Sequence, residues 1–160
     1  MRIALTGTPG TGKTSVAETL RGKGYDVIDL TRHIKDNNLR EEYDAERDTY
    51  AVDVEKLNES LSDCEDCVFE GHLAHFIDVD SIVVLRCHPD VLAERLRARG
   101  YDEGKVRENV EAELLDVILC ESADTGLPER VFPDSSRCIL IPSGTDTFAR
   151  GFTIWIPMLT

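Results

Sequence analysis

The stretch Gly7-Thr8-Pro9-Gly10-Thr11-Gly12-Lys13-Thr14 reads G-x-x-x-x-G-K-[ST], and it begins at the seventh residue of the chain. Ile3-Ala4-Leu5 before it is a short apolar run suited to a buried strand. Ser15-Val16-Ala17-Glu18-Thr19-Leu20 after it predicts a helix, with Gly22 and Gly24 as stop signals. A strand, a glycine-rich turn and a helix in this order form a phosphate-binding P-loop. Glycines let the backbone curl so that its N–H groups face phosphate oxygens, and the helix N-terminus adds partial positive charge. Lys13 is placed to reach β- and γ-phosphates, and the Thr14 hydroxyl to hold Mg²⁺. The expected ligand is a nucleoside triphosphate.

Outward from this loop, the chain alternates short apolar runs with helical patterns, which predicts a parallel sheet covered on both faces. Strands are expected at 2–6, 26–29, 67–70, 81–87 and 138–142. Ser81-Ile82-Val83-Val84-Leu85 is the clearest, being continuously apolar as a doubly covered strand must be. Helices are expected at 13–21, 31–37, 53–62, 89–99 and 103–122. Pro89 and Asp90 suit a helix start and Gly100 suits its end. In the last helix Val106, Val110, Leu114, Val117 and Ile118 keep helical spacing and predict a core-facing stripe. The fold class is therefore α/β, a three-layer arrangement with about five parallel strands. Beyond the Pro142-Ser143-Gly144 turn, Phe148, Phe152, Ile154, Trp155 and Ile156 are apolar without clean periodicity.

The 160 residues suit one domain, with 41% hydrophobic and 31% charged residues. No apolar stretch approaches the ~20 residues needed to span a bilayer, and a cytoplasmic location is expected, nuclear in a eukaryote. A net charge of −13 argues against strong nucleic-acid binding through phosphate contacts. Five cysteines are an odd set, and Cys64-Glu65-Asp66-Cys67 lacks a second pair to complete a zinc site. Cys67 reads as a strand residue.

The remaining residues decide among P-loop functions. No Asn-Lys-x-Asp sequence occurs, which removes the usual guanine-reading loop. Arg86, Arg95, Arg97, Arg99 and Arg107 crowd one segment, and phosphoryl transfer needs cationic clamps on the moving group. Arg95 and Arg99 lie four apart on one helix, and Arg99 leads into Gly100-Tyr101-Asp102-Glu103-Gly104, a turn placed to close over nucleotide. Arg97 reads as a solvated surface residue. Val68-Phe69-Glu70 ends a core strand with a carboxylate suited to Mg²⁺ through coordinated water. His72 is a candidate for orienting water or contacting phosphate, with a polar strand-end role equally open. His75, three residues on, lacks the further ligands a metal pair would need.

Gly7 to Thr14, Glu70-Gly71-His72 and Leu96 to Asn109 together resemble the small adenylate kinase family found in archaea and eukaryotic nuclei, and Asp44-Ala45-Glu46-Arg47-Asp48 resembles its acidic segment. The resemblance covers roughly residues 1 to 125. It implies phosphoryl transfer from ATP to AMP with Mg²⁺, giving two ADP. It further implies ATPase activity and a part in small ribosomal subunit maturation through a ribosomal protein. By position, Gly10, Gly12, Lys13, Thr14 and Ser15 would hold the ATP phosphates. Residues about 30–53 would form the monophosphate-binding segment, with Arg32 on the AMP phosphate. Residues about 99–109 would form the lid, with Arg99 contacting ATP and Arg107 a further candidate. The family often carries aspartate where Glu70 stands, and a regular helix where Phe148 to Thr160 stand. An ATP-hydrolysing assembly factor with incidental kinase activity, and a kinase of another small acceptor, are the alternatives.

Overall fold

The computed structural model describes residues 1–44 and 49–132. The strand expected at 138–142, the Ser143-Gly144 turn and the apolar tail lie outside the described residues. So do residues 45–48 of the acidic segment.

β1 (Ile3–Thr6) leads through the P-loop into α1 (Lys13–Gly22), and β2 (Asp26–Asp29) runs directly into α2 (Leu30–Asp36). A hairpin of β3 (Arg40–Asp44) and β4 (Thr49–Val52) precedes α3 (Val54–Ser60) and β5 (Cys67–Glu70). A 3₁₀ turn (Ala74–Phe76), β6 (Ser81–Leu85), α4 (Pro89–Ala98), α5 (Glu103–Leu114), α6 (Val117–Asp124) and β7 (Glu129–Phe132) complete the described chain. The main sheet has five strands in the order β2-β5-β1-β6-β7, each pair parallel. β1 is central because the chain crosses to one side for β2 and β5 and to the other for β6 and β7. That places the P-loop above the middle of the sheet, at the carboxyl ends of the strands, where open α/β sheets bind ligands.

Alternation along the strands builds the two cores. Ala4, Phe69, Ile82 and Val84 point to one face and pack with Leu30, Ile34, Leu57 and Leu61 of α2 and α3. Leu5, Val27, Val68 and Leu85 point to the other and meet Val16, Ala17 and Leu20 of α1. A third, smaller cluster joins Leu92 and Leu96 of α4 to Val106 of α5 and to Cys87. Each fully buried leucine or phenylalanine contributes about 2 kcal/mol relative to exposure.

Local capping sets the boundaries. The Asp29 carboxylate accepts from the Arg32 N–H at 3.0 Å, Asp53 from Glu55 and Lys56, and Asp102 from Lys105 at 3.0 Å. Carboxylate acceptors at these N-cap positions satisfy otherwise orphaned helix N–H groups.

One expectation is corrected, and three further strands are present. The single helix expected over 103–122 is two helices, broken at Leu115-Asp116, where Asp116 takes a left-handed φ of 57°. Arg86 reaches Asp116 and the Glu113 carbonyl there, and these bonds to a cation hold the chain out of helix. The break rotates the apolar stripe: Leu114 is 60% exposed and Val117 36%, while Glu113 turns inward. The fifth strand of the sheet is residues 129–132, whose alternation of charged and apolar residues (Glu-Arg-Val-Phe) is a weak strand signal. The β3–β4 hairpin, within the segment expected to bind the monophosphate, was not expected as strands; its five-residue first half, Arg-Glu-Glu-Tyr-Asp, carries three acidic residues.

Candidate active site

The P-loop leaves β1 at Gly7 and enters α1 at Lys13, with Gly12 as N-cap at φ 99°. Two glycines are required by space as well as by dihedral. A Cβ on Gly7 (φ 145°) would run into the Leu85 carbonyl oxygen, and one on Gly10 (φ 94°) would lie 2.7 Å from Leu92 Cδ1. The loop is thus packed against the end of β6 and the inner face of α4. Its backbone is also braced internally: Thr11 donates to the Thr8 carbonyl from both Oγ1, at 2.8 Å, and its N–H, at 3.2 Å.

Lys13 is buried, and its Nζ donates to the carbonyls of Gly7 at 2.5 Å and Thr8 at 3.0 Å. Burial pushes its pKa down to about 8; Glu70 opposes the shift, the nearby Arg99 guanidinium adds to it, and Glu113 opposes it. Thr14 and Ser15 follow on the exposed side of the first turn of α1. The first N–H groups of this helix have no intrahelical acceptor and are suited to an anion.

Across the strand ends, Glu70 closes β5 in register with Leu5 of β1 and Asp29 of β2. Its side chain is buried, and burial raises its pKa, with Asp29 reinforcing and Lys13 and Arg21 opposing. Gly71 follows, and its N–H donates to the Leu5 carbonyl at 3.2 Å. The His72 ring reaches water but is crowded by protein; this desolvation lowers its pKa, followed by the charges of Lys13 and His75. Lys13, Glu70 and His72 therefore share one electrostatic neighbourhood. His75 does not join them as a metal ligand: it is buried, with Nδ1 3.0 Å from Thr6 Oγ1 and Nε2 3.1 Å from Glu121. Among the described residues no group of three or more His, Cys, Asp or Glu is arranged to hold a metal ion.

The arginines separate into distinct jobs. Arg95 Nη1 lies 3.4 Å from the Gly10 carbonyl, touching the P-loop directly. Arg99 caps the C-terminus of α4, exposed, and close enough to Lys13 to depress its pKa. Gly100, Tyr101 and Asp102 then turn the chain into α5, on which Arg107 is exposed. Arg97 pairs at 2.7 Å with Glu103 on the outside. Arg86 is engaged by Glu113 at 2.7 Å and by Asp116. Arg32 lies with Arg21, Asp29, His33, Asp36 and Asn37 in an open groove of about 520 Å³ beside β2, its Nε 3.4 Å from Asp36.

Sequence reasoning missed Glu113 as a partner of the loop. Its Oε2 accepts from Thr8 Oγ1 at 2.5 Å, and Oε1 accepts from Arg86 Nε at 2.7 Å and the Cys87 N–H at 2.9 Å. The available signal was a charged residue seven positions after Val106 on the apolar face of an amphipathic helix. Cys67 is the strand residue expected, and burial, aided by Cys64, pushes its thiol up to about 12, far from the range of a reactive thiolate.

A glycine-rich loop at a helix N-terminus, above the central strand of a five-stranded parallel sheet, defines the P-loop kinase fold. Residues 3–116 match a family model described as an AAA domain. The chain is 46% identical over 127 residues to a "Putative adenylate kinase" of Methanocaldococcus jannaschii, covering 76% of this chain and 72% of that protein. It is 47% identical over 122 residues to the protein of the same name in Natronomonas pharaonis, again with 76% and 72% covered. Shikimate kinase from Bacteroides thetaiotaomicron is structurally similar, with TM-score 0.54, 25% identity and coverage of 84% and 87%. Shikimate kinase from Acinetobacter baumannii gives TM-score 0.58 at 15% identity, covering 82% of each chain. The chain belongs to the small adenylate kinase family that these archaeal proteins represent. No helix among the described residues is long and apolar enough to cross a membrane.

Proposed function

We propose that this protein is a nucleoside monophosphate kinase that transfers the terminal phosphoryl group of ATP to AMP, reversibly, giving two ADP. The observation that carries the reading is Lys13, buried at the start of α1 in the field of the Arg99 cation and the Glu70 carboxylate, with Arg95 on the Gly10 carbonyl of the same loop. A triphosphate would take the place of the Gly7 and Thr8 carbonyls at Lys13 Nζ and receive the N–H groups of Gly10 and of Gly12 to Ser15. An AMP phosphate oxygen then bonds to the γ-phosphorus as the bond from that phosphorus to the β-bridging oxygen breaks, and the electron pair leaves with ADP. Negative charge spreads over the transferred group, and Lys13 and Arg99 are the cations that stabilise it. The short turn after Arg99 would exclude water and favour the bound acceptor.

The donor set fits Mg²⁺. Thr14 and Glu70 offer hard oxygen ligands from two adjacent elements, and the described residues build no all-protein cage. That suits an ion held mainly by phosphates and water, with Glu70 acting through a coordinated water. When bound, the ion would neutralise charge developing between β- and γ-phosphates.

Acceptor binding is assigned to the groove beside β2, with Arg32 on the AMP phosphate. Asp29, which lines that groove, is in register with Glu70 at the carboxyl ends of the strands, the end of the sheet from which the P-loop leaves β1. His72 is placed to contact phosphate or water, and Arg107 lies on the helix that follows the closing turn. Arg32→Ala should raise KM for AMP about tenfold while changing KM for ATP less than about twofold. Arg99→Ala should lower kcat about a hundredfold with a smaller change in ATP Kd, because its charge acts mainly on the transition state.

The deciding experiment measures ADP formed from ATP with AMP, CMP, shikimate or no acceptor. Turnover that depends on AMP supports the proposal; equal turnover with CMP or shikimate reassigns the acceptor. A second reading is an assembly factor whose ATP hydrolysis acts in small-subunit maturation, and the net charge of −13 suits a basic ribosomal protein partner. Acceptor-independent hydrolysis accelerated by such a protein would favour it.

A further inference from the structure

The helix that follows the closing turn ends on the P-loop. Glu113, in the last turn of α5, is 3% exposed, and its carboxylate collects three donors from two separate places in the chain. Thr8 of the P-loop donates its hydroxyl to Oε2 at 2.5 Å. Arg86 and Cys87, just beyond β6, donate Nε and N–H to Oε1 at 2.7 and 2.9 Å. Arg86 Nη2 also donates to the backbone carbonyl of Glu113 at 2.8 Å. The same Thr8 whose hydroxyl is held by Glu113 offers its carbonyl to Lys13 Nζ at 3.0 Å. A single residue therefore connects the buried carboxylate to the phosphate-binding lysine.

A carboxylate removed from water is unfavourable unless its oxygens are fully bonded, and its donors are then held in fixed positions. Packing alone would call for an apolar side chain at this point of the stripe, where Val106 and Val110 precede it. The opposite anchor of the turn is apolar: Leu92 and Leu96 of α4 press on Gly10, and Arg95 meets the Gly10 carbonyl. The turn at Gly100–Asp102 is thus tied to the P-loop at Gly10 through α4 and at Thr8 through α5.

We propose that Glu113 is a positioning residue for triphosphate binding, acting through the Thr8 hydroxyl to hold the P-loop, and with it Lys13, in the shape that receives phosphates. Glu113 is bonded to Thr8 rather than to Lys13, and beyond the pull of its charge on that ammonium its effect passes through Thr8. The proposal rests on the P-loop being a triphosphate site, but not on the identity of the acceptor.

The test is calorimetric measurement of ATP binding to the full chain. Thr8→Val keeps the shape of the side chain and removes only the donated hydrogen bond, leaving the Arg86–Glu113 pair in place. It should weaken ATP binding about tenfold at a temperature where the variant is fully folded, with a melting temperature a few degrees lower because Glu113 Oε2 loses its donor, and Thr8→Ser should restore both. In the Thr8→Val background, Glu113→Gln should add less than about twofold to the loss of ATP binding, because on this proposal Glu113 reaches the loop through the Thr8 hydroxyl. If Thr8→Val binds ATP like the wild type, or if the two effects multiply, the proposal is overturned. Should Glu113→Gln fail to fold, the Thr8 pair of variants still decides. Wild-type protein that binds ATP but does not phosphorylate AMP would refute the acceptor assignment and leave this test intact.

Discussion

Lys13→Met loses about a thousandfold in kcat/KM for ATP while its melting temperature does not fall; this is the outcome expected of a buried cation that serves a ligand rather than the fold. The methylene stem is retained and only the ammonium is lost. That ammonium is desolvated by burial, so its pKa stands at about 8 against 10.5 in the unfolded chain. The sign follows directly. Between about pH 8 and 10.5 the unfolded chain binds the proton and the folded chain does not, so this group adds stability as pH rises through that window. Below pH 8 the folded state carries its full cost, on the order of 3 kcal/mol, which methionine does not incur. Phosphate oxygens would raise the pKa again, so ATP affinity should weaken above about pH 8, approaching tenfold per pH unit. Titration calorimetry between pH 7 and 9.5, with enzyme assays in parallel, checks both statements. A variant that retained turnover would remove the phosphate site from Lys13.

Arg86→Met is expected to have the largest effect on stability. The guanidinium is only partly accessible, and it bonds Glu113 through both its carboxylate and its carbonyl and also reaches Asp116. Removing it strands a buried carboxylate and releases the left-handed residue that separates α5 from α6. Breaking such a pair costs about 3 kcal/mol, and in a domain of this size that lowers Tm by about 10 °C. Scanning calorimetry gives the answer. Replacing Glu113 by leucine in the same chain should return part of the loss, since two apolar residues need no mutual partner. A drop of only a degree or two would show the pair to be solvated.

The P-loop, the parallel sheet and the strands at 26–29, 67–70 and 81–85 were legible because each rests on a local signal: glycine spacing, a capping residue, or an unbroken apolar run. Pro89 and Gly100 likewise framed α4. The break at Asp116 was not legible, because apolar spacing continues across it. What stops the helix is Arg86, thirty residues earlier in the chain and beside it only once the sheet has formed. Glu113 was hidden for the same reason, since a glutamate on a helix reads as solvated until Thr8 and Arg86 are brought to it. β7 was missed because its charged residues are exposed at the sheet edge, where only backbone pairing to β6 defines the strand.

The double anchoring of the α4–α5 hairpin has a mechanical consequence. In a hinged lid, a whole subdomain swings and its helices leave the nucleotide loop. Here Leu92 and Leu96 sit on Gly10, and Glu113 grips Thr8 from the far end of α5. Both arms of the hairpin are fixed near the loop, leaving as free travel only the three residues of the bend and the exposed turns beside it. If the bend closes over nucleotide as proposed, opening and closing would amount to its flexing, and nucleotide exchange would not wait for a large domain to move.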